Sequence, residues 1–262
     1  MPSWLDTANE KLNIVNHKDF IPEKYLPTFS SHAIELNLHR IKGLAEQFVY
    51  FNDDIFLTSY VRPEDFFKSS KPCDTAALNC IFFGKDSAGH YNGSDLTLIN
   101  SHFNKADCLK KNVGVWFNPK NGLRNVLKTL LLLPWKWFPG FYYQHAANGF
   151  LKSNFEEVWK AEPELLNSTC SHRFRKSDDL NQWAVKFWQL AKGEVSVRSP
   201  DFARCYHVKE SNFLGLLEDI SKSKYKMICI NDTAKTVFFE NKKQKIKDAL
   251  NKILPEKSSF EI

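Results

Sequence analysis

Phe48-Val49-Tyr50-Phe51-Asn52-Asp53-Asp54 decides how this chain reads. The apolar run has the length and composition of a buried strand, and it stops at Asn52. In open α/β sheets, ligands sit beyond the carboxyl ends of strands. Two adjacent carboxylates at such an end, Asp53 and Asp54, make a hard-oxygen site suited to Mg²⁺ or Mn²⁺ carrying a substrate phosphate. The same Asn-Asp-Asp triplet is also good turn chemistry.

Two further runs end alike. Leu12-Asn13-Ile14-Val15 leads into Asn16-His17, and Met227-Ile228-Cys229-Ile230 leads into Asn231-Asp232. If all three are parallel neighbours, their polar ends converge on one rim. Between them, a loop punctuated by Pro22 and Pro27 precedes a helix capped by Ser30 or Ser31. That helix carries Ile34, Leu38 and Ile41 on one face and stops at Gly43. Residues 60–125 are rich in Asn, Gly, Ser and Asp without a long periodic run, which predicts an irregular insertion near 60–140. Helices are expected from Ser153 to Lys160, where Pro163 ends or offsets the element, and from Asp178 or Asp179 through Trp183, Phe187 and Leu190 to Gly193. A charged helix from Lys235 to Ile253 closes the chain. The alternation predicts an α/β fold: a Rossmann-like mixed or parallel sheet flanked by helices.

The 262 residues, 43% hydrophobic with 22 Phe, suffice for one large domain and make disorder the wrong default. The net charge of +6 is too mild to indicate nucleic acid. Its distribution says more. From Cys108 to Phe155 there is no Asp or Glu, while Lys110, Lys111, Lys120, Arg124, Lys128, Lys136 and Lys152 all fall there. That stretch favours an anionic partner, or is a solvated basic face. The run Leu130–Leu133, extended through Trp135, Trp137 and Tyr143, is too short to span a bilayer, which needs ~20 apolar residues. Its Trp, Tyr and Lys suit a peripheral membrane contact, a carbohydrate-binding wall or a loop over the core. The six cysteines include no C-x-x-C pair, and the N-terminus lacks the basic and apolar regions of a signal peptide. Reduced thiols and a cytoplasmic location are expected, and no zinc spacing is present.

In the second half, His145 follows Phe141-Tyr142-Tyr143 and suits a general base. His172-Arg173-Phe174-Arg175 offers guanidinium groups for bidentate phosphate contacts, unless these pair simply with Asp178 and Asp179.

Several blocks resemble the Stealth family of sugar-1-phosphate phosphotransferases, which includes bacterial capsular and exopolysaccharide enzymes and the animal N-acetylglucosamine-1-phosphotransferase. Asn16-His17-Lys18-Asp19-Phe20-Ile21-Pro22, running through Ser30-Ser31-His32-Ala33-Ile34-Glu35 to Phe51-Asn52-Asp53-Asp54, is similar to its second conserved region (about 5–110). His145 through Thr169 and Arg173-Phe174-Arg175 to Asp178-Asp179 is similar to the third (about 141–193). Cys229-Ile230-Asn231-Asp232 and Leu254-Pro255-Glu256-Lys257 are similar to the fourth (about 205–262). The resemblance implies one phosphotransferase domain over 1–262, with a divalent metal, Mg²⁺ or Mn²⁺, at Asp53 and Asp54. It implies catalytic roles for His145, Arg175 and Asp54, and substrate binding by His17, Ser31, Asn52, Arg173 and Asp232.

The implied reaction moves a hexose-1-phosphate from a UDP-sugar to a sugar hydroxyl, building phosphodiester links in capsular or extracellular polysaccharide. The implied partners are a nucleotide-sugar and a glycan acceptor; the membrane reading of the Trp, Tyr and Lys run would add peripheral contact at the inner face of the cell membrane. Two departures stand out: Ser30-Ser31 replaces the family's Asn-Ser, and Ala146-Ala147 replaces a proline soon after the histidine. The family's first conserved region, a strand within a Tyr-Thr-Trp-Val-Asp-Gly type sequence, is not matched. Pro2-Ser3-Trp4-Leu5 resembles the stretch just downstream of that region, so the expectation is a truncated product, one half of a split enzyme whose upstream partner chain supplies the region, or a mis-called start. An ordinary metal-dependent glycosyltransferase, and a truncated remnant or subunit of a split enzyme, remain as alternatives.

Overall fold

The computed structural model describes residues 2–84, 89–231 and 236–262. The fold is mixed α/β. In chain order its strands are Gln47–Tyr50 (β1), Ile55–Leu57 (β2), Phe67–Lys68 (β3), Lys71–Asp74 (β4), Asn148–Leu151 (β5), Ser196–Val197 (β6), Ala203–His207 (β7) and Met227–Asn231 (β8). No single sheet runs through the described residues. They form three small ones, ordered β1-β5, β2-β8-β7 and β3-β4-β6. β1 and β8 form where expected but in different sheets, so the polar ends do not meet as parallel neighbours. After β1 the chain turns at Asn52–Asp54, and β2 pairs antiparallel with β8. It is this pairing that brings the carboxylates to Asn231. Leu12–Val15 is not a strand: the segment pairs with no described strand and is half-buried to exposed.

The largest core is aromatic. Phe138 stacks on Phe141 at 4.9 Å, and Phe141 on Phe187 at 4.8 Å, with Trp116, Phe150 and Phe155 buried around them. Through it runs the helix Gln182–Lys192, whose residues 182–191 are all buried. Its N-cap is Asn181, whose side chain accepts from Trp183 N, and not Asp178 or Asp179. Its stop is Gly193, in the left-handed region at φ +71, where a Cβ would strike the Asn112 side chain. A smaller core joins β7 and β8 to the helices Glu210–Ser221 and Thr236–Ile253.

The stretch expected to be irregular holds the helices Gly89–His102, Lys105–Lys111, Val113–Trp116 and Leu123–Leu131. In the first, Ser94, Thr97 and Ser101 bond back to the carbonyls of His90, Gly93 and Thr97. Buried Leu98 and Ile99 hold it to the core. Those hydroxyls satisfy themselves within the helix, so a composition typical of loops became helical. The helix begun at Ser31 ends early, at Leu36, because buried Asn37 turns its amide back onto Ala33 O and the chain continues as the 3-10 turn Leu38–Arg40. Pro163 starts a helix, Pro163–Ser171, at its first position.

Phe187→Ala should cost about 3–5 kcal/mol by leaving a void beside the stacked rings. Chemical denaturation would show this as a lower midpoint.

Candidate active site

Asp54 sits at the turn between β1 and β2. Its carbonyl accepts from Ile230 N at 2.8 Å, which fixes the residue beside β8. There its half-buried carboxylate meets two distant segments. His145 Nε2 lies 3.1 Å from Oδ2, and the Cys229 thiol donates to the same oxygen at 3.3 Å. Cys205 faces Cys229 across the parallel β7–β8 pair, with the sulfurs 3.4 Å apart. The contact with Cys205 and burial push the Cys229 thiol well up, so it stays a neutral donor. Asp53 is exposed and bonds to no described residue.

Asp54 and His145 join two clefts. One, of about 460 Å³, is lined by Asp53, Asp54, Phe56, Asn231, Lys243 and Lys247 among others. The other, of about 530 Å³, includes His145, Tyr143, Arg204, Cys205 and His207.

A second polar group forms around Arg175. Its Nη2 donates to Ser31 Oγ at 2.7 Å, Phe29 stacks on Phe174, and Phe29 N donates to Arg173 O at 2.8 Å. These contacts zip residues 29–31 to 173–175. Glu35 lies buried next to them. Burial raises its carboxyl to about 7, against the pull of bonds from Gln182 N and Tyr50 OH, each 3.3 Å long, and of the Arg175 charge. Asn52 donates to Tyr50 OH at 3.5 Å. Burial, then the Glu35 charge, push the Tyr50 phenol up, with a further push from Asp53. One electrostatic network therefore runs from Arg175 through Glu35 and Tyr50 to Asn52 and Asp53.

Glu35 is the residue that sequence reading passed over. The signal was present: an acid between Ala33 and Leu36, both core positions on a helix.

The expected site residues thus fall into two groups. Asp53, Asp54 and His145 gather at one, and Ser31, Asn52 and Arg175 at the other. Arg173 is exposed, and among the described residues only its carbonyl is hydrogen-bonded. His17 opens the helix His17–Phe20 on a cleft of about 930 Å³, and no hydrogen bond links it to Asp54 or Arg175. Asp232 lies outside the described residues. The alternative in which the arginines pair with Asp178 and Asp179 is corrected. Asp179 is fully buried between His172 Nδ1 at 2.6 Å and His32 Nδ1 at 3.5 Å, while both arginines and Asp178 are exposed.

Two groups among the described residues place potential ligand atoms within 4.8 Å of one another: Asp54, His145 and Cys229, and His172, Asp178 and Asp179. Asp53 and Asp54 suit a hard divalent ion, which takes one or two carboxylates and completes its shell with water and substrate phosphates. The protonated Cys229 sulfur does not. A carboxylate-held imidazole between two clefts, one of them also lined by Arg204, can accept a proton from a hydroxyl.

Comparison with known proteins agrees. Residues 1–74 match the model of Stealth protein CR2, conserved region 2. The whole chain aligns with the capsular polysaccharide phosphotransferase WcwK of Streptococcus pneumoniae, at 38% identity over 77% of that protein. It aligns with the receptor polysaccharide phosphotransferase WefC of Streptococcus gordonii at 39% over 78%. It aligns with the exopolysaccharide phosphotransferase cps2G of Lactiplantibacillus plantarum at 38% over 77%. Likeness over the whole of this chain and more than three quarters of each relative defines a polysaccharide phosphotransferase. The chain belongs to the Stealth family.

Glu35 makes stability depend on pH. Its folded pKa lies above the ordinary value of 4.5, so its contribution is complete below pH 4.5 and is lost as pH rises through about 7. Glu35→Gln keeps the hydrogen bonds and removes the titration. Relative to the parent, it should gain about 2–3 kcal/mol between pH 4 and pH 8. Urea unfolding of both proteins at the two pH values measures this.

Proposed function

We propose that this chain transfers a hexose-1-phosphate from a UDP-sugar to a sugar hydroxyl, as one catalytic domain over 1–262. The product is a phosphodiester within a capsular or extracellular polysaccharide. The observation that carries this reading is the 3.1 Å contact of His145 with Asp54 at the junction of two clefts, in a Stealth chain.

In this reading the donor's phosphates occupy the cleft with Asp53, Asp54, Lys243 and Lys247, and the acceptor occupies the His145 cleft. His145 Nε2–H is donated to Asp54, so Nδ1, which bonds to no described residue, receives the acceptor's proton. The carboxylate fixes the tautomer and steadies the imidazolium that forms. The acceptor oxygen bonds to the sugar-linked phosphorus, the bond from that phosphorus to the oxygen bridging it to uridine monophosphate breaks, and UMP leaves. Arg175, positioned by Ser31, spreads the charge on the phosphoryl oxygens. Glu35 and Tyr50 hold that arginine's neighbourhood, and Asn52, Arg173, His17 and Asp232 complete substrate binding. A divalent ion at Asp53 and Asp54, when bound, neutralises donor phosphate charge. Six free thiols suit a reducing, cytoplasmic setting.

The leaving nucleotide tests the reaction. UMP marks phosphorus–oxygen cleavage. UDP as the sole nucleotide would instead mark attack at the sugar carbon, as in an ordinary glycosyltransferase.

His145→Ala and Asp54→Asn should each lower turnover about 10²-fold or more, and the double variant little further, because they act as one unit. Arg175→Lys should also lose most activity, since a point charge cannot replace a two-pronged donor. Phosphorus NMR of the phosphodiester product provides the rates. Near-normal turnover in all three would return these residues to structural roles.

A further inference from the structure

The helix Leu123–Leu131 is built inside out. A surface helix ordinarily buries its apolar stripe and shows water its polar one. Here Asn125 and Thr129 are buried. Thr129 Oγ1 accepts from Leu78 N at 3.0 Å, and Asn125 Nδ2 donates to Asn121 O at 2.9 Å. The leucines point outward instead: Leu123 is 75% exposed, Leu127 50%, Leu130 45% and Leu131 73%. Trp135 and Trp137, 57% and 55% exposed, follow within six residues of the helix end. The inward polar face is fully engaged, so the orientation is fixed by hydrogen bonds, and the helix cannot roll over to hide its leucines.

The charges carried by this helix and its sequence flanks have one sign. Lys120, Arg124 and Lys136 are exposed, and no acidic residue occurs between Cys108 and Phe155. A protein partner could be apolar alone. An apolar stripe with two tryptophans and flanking cations on the same segment matches the acyl–headgroup boundary of an anionic bilayer. No helix among the described residues is long and apolar enough to cross a membrane, so such contact would lie along the surface.

We propose that this face docks on an anionic lipid surface. The leucines and tryptophans enter the headgroup region, and the lysines and arginine meet lipid phosphates. Lys128, on the same helix, donates to Asn79 Oδ1 at 3.2 Å, and Asn79 lines the His145 cleft. Docking therefore sets that cleft at the lipid boundary.

The test is co-sedimentation of the whole chain with vesicles of phosphatidylglycerol and phosphatidylcholine, beside vesicles of phosphatidylcholine alone. Binding should require the anionic lipid and weaken as salt is raised. The triple variant Leu127→Ser, Leu131→Ser, Trp135→Ser should lower the partition coefficient about tenfold or more. Lys120→Glu, Arg124→Glu and Lys136→Glu together should do the same on anionic vesicles. All six positions are exposed, and an unchanged thermal unfolding curve confirms that each variant folds. Absence of binding to anionic vesicles at low salt overturns the proposal, as does parent-like binding by both variants. So does sedimentation equilibrium showing a dimer that the serine variant dissociates while vesicles are ignored, because the face then belongs to a second copy of the chain.

Discussion

Everything near the candidate site leans on one buried helix, Gln182–Lys192. A helix hidden on all sides must satisfy its polar side chains internally or destabilise the fold. This one does so by engaging the elements around it. Lys186 is buried between Asp74 at 3.1 Å and Asn148 Oδ1 at 2.7 Å. Gln189 Oε1 accepts from Leu151 N, and its amide donates to Gly149 O. At the N-terminus, the backbone donors of Asn181 and Gln182 go to the carboxyl oxygens of Asp95 and Glu35. Strands β4 and β5 and two helices are thereby keyed to one element. Glu35 is keyed at its other oxygen to Tyr50, at the end of β1. The strand that delivers Asp53 and Asp54 is thus registered against the core through a carboxyl that burial disfavours as an anion.

The same helix shows what sequence could and could not reveal. Its existence and its stop were legible, because Trp183, Phe187 and Leu190 recur at helical spacing and Gly193 fits a left-handed cap. Its total burial was not, since Gln182, Lys186 and Gln189 read as a solvent face until their partners are known. β1 and β8 were legible as apolar runs ending in Asn. Their partners were not, because pairing is a long-range choice that a run of four or five residues does not encode. The Gly89–His102 helix was hidden by hydroxyls that bond back to their own backbone, and Leu12–Val15 had an apolar pattern without a neighbour to pair with.

For the site, residue types that advertise chemistry were found: a carboxylate pair, a histidine after an aromatic loop, an arginine. Asp54 and His145 do touch, and Arg175 reaches Ser31. The residue that escaped, Glu35, sits in a helix turn between core positions. Its importance is a matter of burial, which spacing does not display. The Cys229 contact with Asp54 was equally invisible, because a thiol in a strand reads as a small hydrophobe.

Asp54, His145 and Cys229 come from three stretches of chain, with 91 positions between the first two and 175 between the outer pair. Translation delivers them in that order. Asp54 emerges early and has no thiol to donate to it, and no strand to receive its carbonyl, until β8 has been made. The most distant contact is therefore among the last to close, after the loop-closure entropy of most of the chain has been met. A product that stops short of β8 carries Asp54 and His145 without the amide of Ile230 and the thiol of Cys229 that hold the turn in place.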